Sequence, residues 1–234
     1  MSATAPPSPT QGVIGEAWRL YRAHLGHLLS ISFVVYLGVA LLSLVLTALL
    51  TWVGAVIAAI VSIIALFWVQ GALVEAVQDV MDGRADLSLG ETFQRVRSRI
   101  PAIAVASILA GLGIAVGLIL LIVPGLVLLT WWVLIIPVIV LEGKSAGEAF
   151  SRSRELVRGH GWSVFGVIVL TFLLLVAFSV VLSLVLTPVA DWLQSFISNI
   201  VSGTLTAPFI AVVWTLLYHR LRGTAPAPGE PSPP

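Results

Sequence analysis

The chain has 234 residues, of which 59% are hydrophobic and 10% are charged, and its mean hydropathy is +1.07. Soluble domains carry about 25% charged residues, so this composition leaves too few charges for a water-facing surface and predicts an integral membrane protein. The net charge of +1 excludes a strongly basic nucleic-acid-binding protein. Because the chain has no cysteine, it has no disulfide framework and no thiolate metal site.

Long stretches without charged side chains predict an all-α membrane protein with six transmembrane helices. No charged residue lies between His27 and Glu75, or between Arg99 and Glu142. A transmembrane helix needs about 20 apolar residues, so each of these stretches holds two helices. The shorter stretches on either side of Asp191 hold one each. In chain order the predicted spans cover residues 28–50, 53–74, 100–123, 126–141, 162–186 and 200–221.

Breaks in the apolar runs predict where the chain turns. Thr51, Trp52 and Gly54 interrupt the first long stretch, and Pro124-Gly125 is a strong breaker pair in the second. The termini are rich in proline, so residues 1–10 and 223–234 are expected to be disordered around a membrane domain of residues 11–222. The polar N-terminus is not expected to be a cleavable signal peptide.

Basic residues predict the orientation in the membrane. All twelve lysines and arginines fall on one side of the predicted topology, and the opposite loops hold only Asp191. By the positive-inside rule, both termini are expected in the cytoplasm of a cell whose inner membrane holds the protein as a multi-pass chain. Tryptophans at both predicted boundaries, such as Trp52 and Trp162, agree with an aromatic belt.

A short motif occurs three times and suggests a threefold internal repeat. Each copy begins with Gly-Glu, a small residue and an aromatic residue, and each precedes a predicted helical pair. The copies are residues 15–22 (GEAWRLYR), 90–97 (GETFQRVR) and 147–154 (GEAFSRSR). The pattern predicts three interfacial amphipathic helices at the cytoplasmic surface, although the segments could equally be elbows that direct the chain into the bilayer.

The third copy carries the most readable local signals. Ser145 and Glu148 have capping-box spacing, which predicts a helix start. Phe150, Leu156 and Val157 are expected to face lipid tails, while neighbouring arginines reach the headgroups. The six arginines of the second and third copies are candidate contacts for anionic lipid, with the setting of topology as the alternative: Arg95, Arg97, Arg99, Arg152, Arg154 and Arg158.

Two segments resemble a known family of prokaryotic integral membrane proteins. Residues 137–143 (PVIVLEG), followed by residues 147–159 (GEAFSRSRELVRG), are similar to proteins related to the membrane domain of glycerophosphodiester phosphodiesterases. Residues 217–222 (LYHRLR) resemble the family's ending, with His219 where an acidic residue is more usual. The resemblance would cover residues 12–222. It implies a membrane domain and brings no catalytic residue with it.

Catalytic and metal-binding signals are weak. His24 and His27 have helical spacing, but interfacial histidines are the better interpretation, and no metal or cofactor site is predicted. Nucleophile-elbow and zinc-protease motifs are absent from the sequence, so an enzyme is not expected. No ionisable residue lies well inside a predicted span, which disfavours proton-coupled transport.

Two functions remain open at this point. The first is a non-catalytic integral membrane protein that organises lipids or partner proteins at the cytoplasmic face. The second is a small transporter or lipid-translocating protein, which would need a polar cavity lined by groups such as Thr130, Ser179, Ser183 and Thr206. Membrane lipids are the expected partners. A protein partner or a homo-oligomer is also compatible with the sequence, because small residues recur at four-residue spacing from Ala102 to Gly117.

Overall fold

The computed structural model of the protein describes residues 9–83, 88–187 and 191–224, and these residues form helices and connecting turns. Nine helices follow one another within them: α1 (Val13–Ala23), α2 (Leu25–Met81), α3 (Leu89–Arg97), α4 (Ile100–Leu120), α5 (Ile122–Trp132), α6 (Ile135–Glu142), α7 (Ala146–Val157), α8 (Gly161–Leu186) and α9 (Asp191–Thr224). No strand occurs in the described part of the chain, as the all-α prediction requires.

Five helical segments are long and apolar enough to cross a membrane. They are Leu25–Met81, Ile100–Leu120, Ile122–Glu142, Gly161–Leu186 and Ile197–Gly223. The apolar stretch between Arg99 and Glu142 thus contains two such segments, as predicted. The first is α4, and the second consists of α5 and α6 together. These segments support a multi-pass membrane protein.

Helix α2 is interrupted at Thr51, the residue at which the sequence predicts a turn. Thr51 has φ 50° and ψ −124°, the torsions of the first central residue of a type II′ turn. In a straight helix, residues eight positions apart are separated by about 12 Å. A Cβ atom on Gly54 would instead collide with the carbonyl oxygen of Leu46. The chain therefore reverses direction here, and α2 consists of two arms that lie side by side.

The predicted turn at Pro124-Gly125 is wrong by a few residues. Helix α4 ends at Leu120, Leu121 is extended with φ −157° and ψ 132°, and both breaker residues lie in the first turn of α5. Proline is tolerated there because the first N–H groups of a helix have no intrahelical acceptor. Gly117 and Gly125 let the two helices approach closely, since a Cβ on Gly117 would lie 2.9 Å from the Cα of Gly125.

The predicted span of residues 126–141 is divided in two. Helix α5 ends at Trp132 and α6 begins at Ile135. Pro137 lies in the first turn of α6, where its missing N–H and its ring prevent continuous helical bonding to the preceding turn. The two predicted spans of residues 53–74 and 200–221 are too short, because α2 continues to Met81 and α9 covers Asp191–Thr224. Hydropathy detects only the apolar part of a helix, whereas polar residues extend both of these.

The buried core lies at the end of the bundle where the three short helices α1, α3 and α7 dock. Leu73, Val77, Ile139, Leu217 and Tyr218 are each fully buried in this region. Around the opposite end, large apolar side chains are open to the surroundings. The exposed fractions reach 67–84% at Leu49, Trp52, Ile119, Ile122 and Val185. Such a surface is expected to face hydrocarbon, because soluble proteins rarely expose so much contiguous apolar area to water.

The apolar face of α7 does not point at lipid, which corrects the expectation for the third motif copy. Leu156 and Val157 are 3% and 0% exposed within the protein. The ring of Phe150 packs edge-to-face on that of Trp132, with centroids 4.9 Å apart. The reason is that the bundle itself offers an apolar surface to this helix, and protein contacts therefore cover its apolar side chains.

The predicted disordered termini fall mainly outside the described residues. Residues 1–8 and 225–234 are not part of the description. Of the adjoining residues, Pro9 accepts a hydrogen bond of 3.2 Å on its carbonyl oxygen from the guanidinium of Arg220. Thr224 is the last residue of α9.

Candidate functional site

The three copies of the repeated motif form helices with the same buried positions. The small residue after Gly-Glu is 0% exposed in every copy, and it is Ala17, Thr92 or Ala149. The residue four positions later is buried too, and it is Tyr21, Val96 or Ser153. Residues four apart share one face of a helix, so each short helix docks through the same face.

The aromatic residue of each motif copy contacts an aromatic ring on another helix. The three pairs are edge-to-face, a favourable geometry for aromatic rings: Trp18 with Phe209 at 6.2 Å, Phe93 with Trp68 at 5.6 Å, and Phe150 with Trp132 at 4.9 Å. Helix α3 thus contacts α2, the helix before it, and α7 contacts the last residue of α5. Helix α1, which has no preceding span, contacts α9, the last helix.

Polar contacts reinforce this docking. Tyr21 donates a hydrogen bond of 3.0 Å from its hydroxyl to the carbonyl oxygen of Leu205. Ser153 donates one of 2.7 Å to the carbonyl oxygen of Trp131 and accepts one of 3.2 Å from the N–H of Leu134. The carbonyl of Trp131 and the N–H of Leu134 lie at the break between α5 and α6, so α7 satisfies backbone groups that this break leaves without helical partners.

Capping boxes begin two of the short helices. Ser145 and Glu148 form the predicted box, which is confirmed, and Ser88 and Glu91 form an equivalent one at α3. Hydrogen bonds from the two serines lower the pKa of both glutamates below the ordinary value of 4.5. Helix α1 begins at Gly12, which has φ 76° and gives no side-chain cap.

Ion pairs connect the short helices to the ends of the long ones. Arg95 lies 3.3 Å from Glu75, and Arg152 lies 3.1 Å from Glu142. The two arginines hold the same position in their motif copies. In the first copy leucine holds that position, and the ion pair is formed instead between Glu16 and Arg220.

A polar network extends the pair between Arg152 and Glu142. Arg152 also contacts Glu155 at 2.9 Å. Tyr218 donates a hydrogen bond of 3.0 Å to Glu142, and Arg222 donates one of 3.3 Å to the Tyr218 hydroxyl. The helices α6, α7 and α9 are therefore joined at the end of the bundle by side chains that the sequence analysis did not connect.

Two of the six candidate lipid-binding arginines, Arg99 and Arg152, are partly buried by their internal contacts. The guanidinium of Arg99 donates hydrogen bonds to the carbonyl oxygens of Ile139 and Val140, at 2.7 and 2.5 Å. A cation near the carboxyl end of a helix satisfies otherwise unpaired carbonyls, and Arg99 does this for α6. Arg152 is held by the network described above, with 23% of its side chain exposed.

The other four candidate arginines are exposed. Arg95 contacts Glu75 as described, and the guanidinium carbon of Arg154 lies 4.2 Å from the ring centroid of Trp131, a cation–π arrangement. Arg97 and Arg158 are at the carboxyl ends of α3 and α7. The accessible basic groups on these two short helices are thus fewer than the sequence predicts.

A polar cavity of about 420 Å³ lies between α2, α8 and α9. Three of the four groups predicted for a polar cavity line it, namely Ser179, Ser183 and Thr206. Thr130, the fourth, is elsewhere, and its hydroxyl donates a hydrogen bond of 2.8 Å to the carbonyl oxygen of Leu126. The described side chains that line the cavity are uncharged, and further ones that the sequence analysis missed are Tyr36, Ser198, Asn199 and Ser202.

Gly203 explains how Tyr36 reaches the cavity. A Cβ atom at position 203 would collide with the Tyr36 ring, so the glycine lets the ring of α2 lie against the backbone of α9. The sequence signal for this contact is a lone glycine among small polar residues of a predicted span. A glycine in a predicted span can serve several structural roles, and the sequence does not identify the residue of a distant helix that packs against it.

Two of the histidines make polar contacts within the described part of the chain. Among the described residues, no group of three histidine, aspartate or glutamate side chains has the arrangement to hold a metal ion. His24 lies 3.3 Å from the carbonyl oxygen of Leu20, and His219 lies 2.6 Å from the side-chain oxygen of Gln78. His219 thus joins α9 to α2.

Comparison with known families identifies the chain's relatives. The model of the membrane domain of glycerophosphoryl diester phosphodiesterase matches residues 96–219. The chain belongs to this family. No curated protein and no solved structure matches the chain.

The match to this membrane-domain family confirms the predicted resemblance over a narrower range than residues 12–222. It begins in α3 and ends in α9, so it includes α4 to α8 and leaves out α1 and α2. It therefore covers the docking of α7 and the polar network at Glu142. The family description names a membrane domain, and it supports a membrane location for this chain.

Proposed function

We propose that the chain crosses the cell (inner) membrane six times, with both termini and all three short helices on the cytoplasmic side. The reversal at Thr51 supports two spans within Leu25–Met81, which adds one crossing to the five apolar segments. The one-sided distribution of the twelve basic residues supports the orientation. An even number of crossings leaves the two termini on the same side.

The six spans are three copies of one unit, each made of a short helix followed by a hairpin. The equivalent buried positions and the three edge-to-face aromatic pairs support this repeat. Each short helix contacts the second helix of the preceding hairpin, and α1 contacts that of the last one. The contacts therefore close into a ring, as expected for an approximate threefold arrangement about the membrane normal.

The biochemical function is non-catalytic, and the protein organises lipids or partner proteins at the cytoplasmic face. The observation that carries this proposal is the exposure of Arg97, Arg154 and Arg158 on α3 and α7. Each basic residue near an anionic membrane surface contributes about 1 kcal/mol of attraction. Exposed glutamates such as Glu91 and Glu155 lower the net charge of this surface, which is therefore moderately basic. The apolar faces of α3 and α7 pack against the bundle, and this packing positions the exposed arginines to contact lipid headgroups.

Lipid retention tests the proposal. Replacement of Arg97, Arg154 and Arg158 by glutamine should reduce the anionic lipid that co-purifies with the protein, as measured by native mass spectrometry. The triple lysine variant is the matched control because it keeps the charges, and it should retain the lipid. If the glutamine variant keeps its anionic lipid and inserts normally, the arginines serve only to set topology, and the proposal fails.

A second candidate function is translocation of lipid or of a small polar solute. The observation that favours it is the uncharged polar cavity at Ser179, Ser183 and Thr206. Hydroxyl and amide groups offer hydrogen bonds to a polar headgroup that would otherwise meet hydrocarbon. Without charged side chains in its described lining, the cavity suits a process that is not coupled to proton movement.

Reconstituted vesicles test this second candidate. Wild-type protein should accelerate the movement of a fluorescent phospholipid between the two leaflets, and Ser183→Leu combined with Ser202→Leu should abolish the acceleration. Ser163→Leu is the matched control, since Ser163 lies at the start of the same helix α8 and does not line the cavity. Equal rates in protein-free and protein-containing vesicles would eliminate translocation of phospholipid and leave the first candidate.

A further inference from the structure

A second and larger space lies on the other side of Thr206. It is a groove of about 800 Å³ between α1, α8 and α9, a volume within the range of small-molecule sites. Its walls are apolar and aromatic, and they include Ile14 and Trp18 of α1, Leu174 and Phe178 of α8, and Leu205 and Phe209 of α9. Thr206 lines both the groove and the polar cavity.

Arg22 is the one charged side chain among the described residues that line the groove. It is exposed, and it lies in the last turn of α1. Glu16, the acidic residue of the same helix, is held by Arg220 at the other end of α1. The groove therefore combines a long apolar surface with one unneutralised positive charge, which is complementary to an acyl chain with an anionic head.

The wall formed by α1 is held firmly against α9. The rings of Trp18, Tyr21 and Phe209 form a mutual cluster with centroids 5.8–6.2 Å apart. The Tyr21 hydroxyl donates to the carbonyl oxygen of Leu205. Because α1 and α9 are fixed against each other, this side of the groove is preformed, and it needs no ordering when an acyl chain enters.

We propose that this groove binds one acyl chain of an anionic glycerophospholipid, whose phosphate contacts Arg22. Basic pockets between membrane helices on the cytoplasmic side favour anionic headgroups, and apolar walls favour the chain. The inference rests on the proposed lipid-organising function and assigns it a specific site outside the arginines of α3 and α7. Arg22 and the α1 wall of the groove lie outside residues 96–219, the range shared with the membrane-domain family, whereas its α8 and α9 walls lie within that range.

The test compares lipids bound to purified full-length protein by native mass spectrometry, with phosphatidylglycerol and phosphatidylcholine of the same chain length added in turn. Wild type should bind phosphatidylglycerol more tightly. Arg22→Gln should weaken that preference about five-fold, the loss expected when one charge near the surface is removed. Leu175→Trp, which fills the groove with a larger side chain, should weaken binding of both lipids.

Matched controls use neighbours that do not line the groove. Arg19→Gln removes an exposed charge from the same helix, and Leu173→Trp enlarges a side chain that is 56% exposed on the same helix α8. Both variants should bind lipid as wild type does. Unchanged phosphatidylglycerol binding in Arg22→Gln and Leu175→Trp, or an equal loss in the controls, overturns the proposal and identifies bulk lipid as the occupant.

The two lipid proposals fail separately. If Arg22→Gln has no effect while the triple glutamine variant of Arg97, Arg154 and Arg158 loses lipid, only the groove assignment is wrong. If neither variant changes the bound anionic lipid, both the groove and the lipid-organising function are wrong. Loss in Arg22→Gln alone supports the groove and limits lipid recognition to α1.

Discussion

The hydroxyl of Ser153 accepts a hydrogen bond of 3.2 Å from the backbone N–H of Leu134, at the break between α5 and α6. The same hydroxyl donates to the carbonyl oxygen of Trp131 at 2.7 Å. One buried side chain of a short helix thus bonds two backbone groups at the break in an apolar helix. Such groups find no water in hydrocarbon, so the two hydrogen bonds stabilise the break and fix the position of α7 against it.

The substitution Ser153→Ala is expected to destabilise the protein by about 1–3 kcal/mol, since it leaves buried backbone groups without a partner. Thermal or denaturant unfolding in detergent measures the effect. Ser151→Ala is the matched control, because Ser151 lies on the same helix, is exposed and bonds only to the carbonyl oxygen of Glu148. Similar stabilities of the two variants would contradict the role of Ser153.

The substitution Thr51→Gly is expected to stabilise the protein. Thr51 has a positive φ that side chains rarely adopt, a strain of about 1–3 kcal/mol, against which glycine costs roughly 0.5–1 kcal/mol of extra unfolded-state entropy. The net gain should be about 1 kcal/mol. Ala59→Gly, in the exposed interior of the second arm of α2, should instead lower stability by about 1 kcal/mol. A loss at both positions would contradict a turn at Thr51.

The capping boxes predict a dependence on acidic pH. Hydrogen bonds from Ser88 and Ser145 lower the pKa of Glu91 and Glu148 in the folded protein. A depressed folded pKa means that the stabilisation is present above the ordinary pKa of 4.5 and is lost as pH falls through the folded pKa. Carboxyl NMR titration measures both values, which should lie below 4.5.

Ser145→Ala supplies the control for this titration. The variant should return the pKa of Glu148 towards its ordinary value and leave that of Glu91 depressed, because the two boxes lie on different helices. A Glu148 pKa that does not move in the variant would show that the box is absent in solution.

Cysteine cross-linking tests the ring of docking contacts. The chain contains no cysteine, so pairs can be introduced without background. Short bismaleimide reagents should link cysteines that replace Trp68 and Phe93. They should equally link cysteines at the two equivalent pairs, Trp18 with Phe209 and Trp132 with Phe150. A mismatched pair, Trp68 with Phe150, should not link within one chain. Efficient linking of the mismatched pair would contradict the order of the three units.

The sequence predicts the all-helical membrane architecture more completely than it predicts the residues at which the helices break. Apolar length identified the long apolar helices, because a bilayer demands about 20 apolar residues per span. Breakers were less reliable. Pro124 and Pro137 are each the third residue of a helix, α5 and α6, and in both cases the break lies before the proline and not at it. The exact residue of a break depends also on tertiary packing, such as the close approach of Gly117 and Gly125.

The sequence predicts which residues belong to the candidate site, but it does not predict what each of them contacts. The arginines were identified as a group by their charge, but charge does not reveal that Arg99 caps α6 or that Arg152 binds Glu142. Those contacts join residues far apart in the chain. The cavity shows the same limit, since Ser179 and Thr206 were named as polar groups within spans, while Tyr36 joins them only through Gly203.

The most direct test of the account is the accessibility of single cysteines in spheroplasts to a maleimide that does not cross membranes. Trp52→Cys, beside the reversal in α2 and at a site 75% exposed, should react from outside. Ser151→Cys, exposed on α7, should react only after the membrane is permeabilised, and the cysteine-free wild type gives the blank. Labelling of Ser151→Cys in intact spheroplasts, or protection of Trp52→Cys, would contradict six spans with the short helices at the cytoplasmic face.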